Sequence, residues 1–131
     1  MGLFDIFKKK TTDVTFEKVK YNKNRTVENN SDGLIDDPTW QQIEAYLDKM
    51  YGNDDEFVTL TLSEAVNGVR YIQACKVDNE YSIQLGLEKG NATKLVEAFF
   101  KREELQKVFA DFYDYAYVAN VDSYKPVSFM M

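Results

Sequence analysis

The sequence contains no histidine, one cysteine (Cys75) and one tryptophan (Trp40), and its six glycines never form a GxGxxG pattern. Without histidine, the commonest general base, every Ser-His-Asp arrangement and all imidazole metal sites are excluded. A single cysteine excludes an internal disulfide and a Cys-cluster metal site. Cys75 falls in the middle of a strand-like run and reads as a buried, inert thiol rather than a nucleophile. There is no Walker loop. Neither DDPTW (36–40) nor NDDEF (53–57) has the alternating acids of an EF-hand loop. Carboxylates occur throughout, so a glycosidase-type pair has no specific signal. No stretch approaches the ~20 apolar residues of a membrane-spanning helix. On these grounds the chain reads as a non-enzyme, with no cofactor and no metal.

What is present is acid and aromatic. The 131 residues carry a net charge of −6, with nine Tyr and nine Phe. Residues 1–30 hold a net +3, which leaves −9 on the remainder. An acidic body disfavours nucleic acid, whose phosphates call for Lys and Arg. It suits a basic protein partner, and it also keeps a protein soluble. Nine tyrosines exceed what one small core needs, so some are expected at the surface.

The opening MGLFDIFKKK is amphipathic, with its charge after the apolar residues rather than before them as in a secretory signal. Leu3, Phe4 and Phe7 with Lys8, Lys9 and Lys10 are candidate contacts for weak binding to an anionic membrane surface. Residues 13–21 allow a short edge strand, and the Asn-rich 22–33 reads as a linker. The expected organisation is a basic leader and polar linker over 1–35, then one α+β globular domain over 36–131.

DPTWQQIEAYLDKM (37–50) has helix signals at both ends. Asp37 is the expected N-cap, Pro38 the first helical residue and Gly52 the C′ residue. Trp40, Ile43, Leu47 and Met50 fall on one face. Trp40 is therefore expected to pin this helix to a sheet, and Trp40→Ala to unfold the domain. Residues 53–64, 69–77 and 80–88 read as strands, joined by turns at Asn67-Gly68 and Asp78-Asn79. Val58, Leu60 and Leu62 share a face, as do Ile72 and Ala74, and Ile83, Leu85 and Leu87. Gly86 marks a bulge or a close backbone approach. KLVEAFF (94–100) fits a helix or a strand. KREELQKVFADFYDY (101–115) is a helix with Leu105, Val108, Phe109 and Phe112 on one face. The tail over 116–131 is apolar enough to pack. The expected fold is α+β, an antiparallel sheet of three to five strands with two helices packed on one face.

The candidate partner-binding residues are Asp54, Asp55 and Glu56 in the loop after the first helix. Tyr113, Asp114, Tyr115 and Tyr117 at the end of the second join them, with Asp122 and Tyr124 beyond. Carboxylates steer and pair with Arg or Lys, and Tyr supplies rigid contact area. An edge strand and the apolar end VSFMM (127–131) also allow a dimer.

The Pro-x-Trp-x-x-Ile-Glu helix start, the acidic loop and FVTLTL, followed by GVRYIQACKVDNEYSIQLGLE and ELQKVFADFYDY, resemble small bacterial immunity proteins of polymorphic-toxin and contact-dependent inhibition systems. The resemblance spans about residues 36–125. It implies a small cytoplasmic domain that binds and blocks a cognate basic toxin, a nuclease in many cases, through an acidic surface. The resemblance supplies no binding motif, and Pro38, Trp40, Ile43 and Glu44 are read as structural. The basic leader departs from the pattern. It leaves a second reading, a scaffold at the inner membrane face held by the N-terminal segment.

Overall fold

The computed structural model describes residues 19–90 and 92–127. Seven strands form one antiparallel sheet in the order β2-β1-β3-β4-β5-β6-β7. They are β1 (Arg25–Asn29), β2 (Gly33–Asp36), β3 (Phe57–Val66), β4 (Val69–Val77), β5 (Glu80–Lys89), β6 (Ala92–Phe100) and β7 (Lys125–Pro126). Two α-helices, α1 (Trp40–Tyr51) and α2 (Arg102–Tyr115), and a 3₁₀ turn at Val121–Ser123 complete the described elements. The α+β class stands. The sheet is wider than the expected three to five strands.

The additional strands come from three places. Residues 22–33, expected as a linker, contain β1 and most of a hairpin whose second strand is β2, and β1 pairs along β3. The ambiguous 94–100 is the strand β6, because its neighbour β5 offers a ladder from Tyr81 to Lys89 that β6 fills completely. The tail returns as β7 beside Val96 and Glu97. The leader residues Leu3, Phe4, Phe7, Lys8, Lys9 and Lys10 lie outside the described residues, as does most of the 13–21 stretch and the end of the tail. Among the described residues, no helix is long and apolar enough to cross a membrane.

Alternation along the strands divides the sheet into two faces. Val58, Leu60, Leu62, Ile72, Ile83 and Leu85 are fully buried in one core with Ile43 and Leu47 of α1 and Leu105, Phe109 and Phe112 of α2. Both helices thus cover the same face. The opposite face is half-exposed and polar, with Thr59 donating to Gln73 Oε1 (2.8 Å) and Ser82 donating to Glu97 Oε2 (2.7 Å). Cys75 belongs to this open face and is half-buried, not in the core, and burial pushes its thiol pKa up. Gly86 lies opposite Tyr71, whose ring occupies the space a Cβ would need. A register shift between Val69 and Tyr71 sits beside it, so both a bulge and a close approach occur there.

The first helix starts later than its sequence suggests. Asp37 adopts a positive φ and its N–H closes on Arg25 O, which ends β2 rather than capping a helix. Pro38 is buried, and its carbonyl accepts the Tyr113 hydroxyl at 2.9 Å. The cap is Thr39, which forms a reciprocal capping box with Gln42. Gly52 ends the helix with φ −100°, not in the left-handed form.

Trp40 packs against the margin of the core and is not the main anchor of α1. It is only partly buried, and its ring lies 5.9 Å from the Tyr113 ring of α2. Ile43, Leu47 and Met50 make the contact with the core instead. Trp40→Ala is therefore expected to leave the fold intact and to cost about 2 kcal/mol, less than a fully buried aromatic. Urea denaturation checks this. Loss of the cooperative transition would return Trp40 to the anchoring role.

Candidate functional site

The loop between α1 and β3 carries Asp54, Asp55 and Glu56, and the residue that fixes it comes from the hairpin turn between β1 and β2. Asn30 donates through Nδ2 to Asp55 O (2.7 Å) and accepts at Oδ1 from Phe57 N–H (3.3 Å). Its own N–H donates to Glu56 Oε1 (3.2 Å). Asp55 N–H closes a local turn on Asn53 Oδ1 (2.9 Å). The loop is thus held from both sides of Glu56.

The three consecutive acids have different environments. Asp54 and Asp55 are exposed. Glu56 is 1% exposed, and its Oε2 has no hydrogen-bond partner among the described residues. Its carboxylate anchors the loop and does not present itself to a partner, which corrects its place among the candidate contacts. Asp54 pairs with Lys76 at 3.3 Å. Asp78 and Glu80, at the tip of the β4–β5 hairpin, are exposed at the same end of the sheet. Among the described residues, Asp55, Asp78 and Glu80 form no ion pair. The hairpin turn at Asn67-Gly68 could have revealed this, because folding the strands back on it brings 54–56 beside 78–80.

Next to this end, Asp32 accepts from Lys49 Nζ at 2.9 Å and from Asn29 Nδ2 at 3.1 Å. The Lys49 hydrogen bond and then the Asn29 one hold its pKa below the usual carboxylate range. Asn29 is buried and also accepts the Asp32 N–H, so the turn that presents Asn30 is itself braced.

Of the remaining candidates, Tyr117 and Asp122 lie by Val66 at the other end of β3, about 30 Å away along nine residue steps, while Tyr124 lies beside β7 at the far edge of the sheet. Tyr113 is packed between Trp40 and Arg25, whose guanidinium carbon lies 4.4 Å from its ring centroid. Asp114 lies 3.9 Å from Lys20 Nζ, and its carbonyl accepts the Tyr21 N–H. Tyr115 lies under the same Lys20. Tyr117 and Asp122 line a cleft of about 670 Å³ against Val66 and Val69. Tyr124 is buried against Phe100, and its hydroxyl has no partner among the described residues. Tyr113 and Tyr124 are therefore packing residues. The acidic and tyrosine candidates do not meet in one surface. The exposed group at the β3 start is Asp54 and Asp55, joined by Asp78 and Glu80.

Asn30→Ala is expected to lower stability by about 1 kcal/mol and to speed amide exchange at Asp55 and Phe57. Hydrogen exchange with urea denaturation checks it. Unchanged exchange at both amides would show that the loop is held without Asn30.

Among the described residues, no group of three or more His, Cys, Asp or Glu side chains is placed to hold a metal ion. Compared with known protein families, with curated proteins and with solved structures, the chain finds no match.

Proposed function

We propose that this chain is a non-catalytic protein-binding module of the immunity type, which binds a basic toxin in the cytoplasm and neutralises it. One observation carries the reading: Asp54 and Asp55 are displayed on a loop locked by Asn30 and by the buried Glu56. A loop fixed before binding loses little conformational freedom on association. Carboxylates held in place steer a cationic partner and set its register. Asp78 and Glu80 extend the same negative end. The resemblance to immunity proteins and the missing histidine agree with the reading.

The test compares the full chain with an Asp54→Ala/Asp55→Ala variant as bait in the native lysate, at low and high salt. The expected result is a basic protein held by the wild type, released by salt and bound about tenfold more weakly by the variant. Co-expression of the chain with that protein should rescue growth. Equal capture by both baits, or a captured protein whose toxicity the chain leaves untouched, would overturn the reading.

A further inference from the structure

We infer that the outer edge of β2 docks an extended segment of a partner polypeptide, with a basic residue opposite Asp36 and an apolar residue opposite Leu34. Two hydrogen bonds fix which backbone groups are free. Ser63 N–H donates to Asn24 O and Asp37 N–H donates to Arg25 O, both at 2.9 Å. In an antiparallel ladder, successive residues turn their backbone groups to opposite neighbours. Asn24, Thr26 and Glu28 therefore bond towards β3, and Arg25, Val27 and Asn29 towards β2. On β2 itself, Gly33, Ile35 and Asp37 point back to β1. The N–H and C=O groups of Leu34 and Asp36 point outwards, and among the described residues no strand lies beyond β2.

The two ends of the sheet differ in how they treat their edges. The β7 edge is two residues long and consists of Lys125 and Pro126. A proline and a lysine blunt an edge against pairing. β2 has neither. Leu34 is 59% exposed, and Asp36 and Glu28 are exposed on the same face beside it. Among the described residues, Asp36, Asp37 and Glu28 form no ion pair. Such an edge repels an acidic strand and complements a basic one. Main-chain hydrogen bonds supply the affinity of strand addition, and alternate side chains supply the choice of partner. The inference stands on the strand edge and does not require the 53–56 loop.

The test uses the full chain and a capped hexapeptide of threonines with one valine and one lysine two positions apart, so that both fall on the face that carries Leu34 and Asp36. Amide exchange is read by NMR. The Leu34 and Asp36 amides are expected to exchange fast in the free protein and to slow about tenfold or more with saturating peptide, while Ile35 is unchanged. Asp36→Asn should weaken the peptide about fivefold, the upper end for one cross-strand charge pair. Asp36→Pro removes an outward N–H while leaving the ladder to β1 intact, and should abolish binding. Asp54→Ala/Asp55→Ala should bind the peptide like the wild type, so the edge and the acidic loop are tested separately. Unprotected Leu34 and Asp36 amides, full binding by Asp36→Pro, or loss of binding in the loop variant would overturn the inference. Protection that rises with protein concentration without peptide would also overturn it, because the occupant would then be a second copy of the chain.

Discussion

Between pH 10 and pH 12 the protein is expected to lose about 3 kcal/mol of stability, after allowance for solvent screening, through two tyrosines, Tyr51 and Tyr124. Burial pushes both phenols from 10.0 up to about 12. For Tyr51 the nearby Arg102 opposes burial only in part. Tyr124 has burial alone to move it. Below pH 10 the folded and unfolded chains both hold these protons, and the full stability is present. As the pH rises, the unfolded chain releases them first and is favoured, until the folded phenols also ionise near 12. The loss is a large share of the roughly 5–15 kcal/mol that holds a small domain folded, so alkaline unfolding should be steep. Urea denaturation at a series of pH values, on wild type and Tyr124→Phe, checks it. The Tyr124 hydroxyl is buried without a partner among the described residues. Removing it should raise stability by about 1 kcal/mol at neutral pH and reduce the alkaline loss by about half. A Tyr124→Phe protein less stable than wild type at neutral pH would show that the hydroxyl is satisfied after all.

The strands that could be read from the sequence are those whose burial is written in apolar side chains. Val58, Leu60 and Leu62, then Ile72 and Ala74, then Ile83 and Leu85 alternate cleanly, and they form the central sheet. β1 buries Arg25, Val27 and Asn29 on its inner face, so two of its three inward residues are polar. Arg25 is accommodated by lying against the Tyr21 and Tyr113 rings and donating to Tyr21 O, and Asn29 by its bonds to Asp32. Hydropathy cannot signal that kind of burial, and the stretch looks like a linker. The linker reading hid Asn30, the residue on which the acidic loop depends. The loop itself was legible as charge between a helix and a strand. Nothing in three consecutive acids says that the third turns inward. Tyr113 was read as a partner contact, although it follows Phe109 by four positions and shares its helical face.

Phe109→Ala is expected to be the most damaging single substitution considered, at about 3–5 kcal/mol. Phe109 and Phe112 are fully buried on the face of α2 that lies over β5, together with Leu105. Around them stand Leu47 of α1 and Ile83 and Leu85 of β5, all in the same core. Neighbours fixed by a seven-stranded ladder and two helices have little room to collapse into the space a phenyl ring leaves. The cost therefore includes a cavity as well as lost burial. Trp40, in the partly open seam between the helices, can lose its ring with solvent taking its place. The single tryptophan looked like the keystone of the sequence, but the structure gives that role to two phenylalanines of the other helix. Denaturation of Phe109→Ala and Trp40→Ala side by side decides it. Equal losses would mean that the α1–α2 seam carries as much of the fold as the layer between α2 and the sheet. A loss at Phe109 about twice that at Trp40 would place the stability in that layer. The Asn30-held loop and the β2 edge would then be extensions that can change partner contacts without threatening the core.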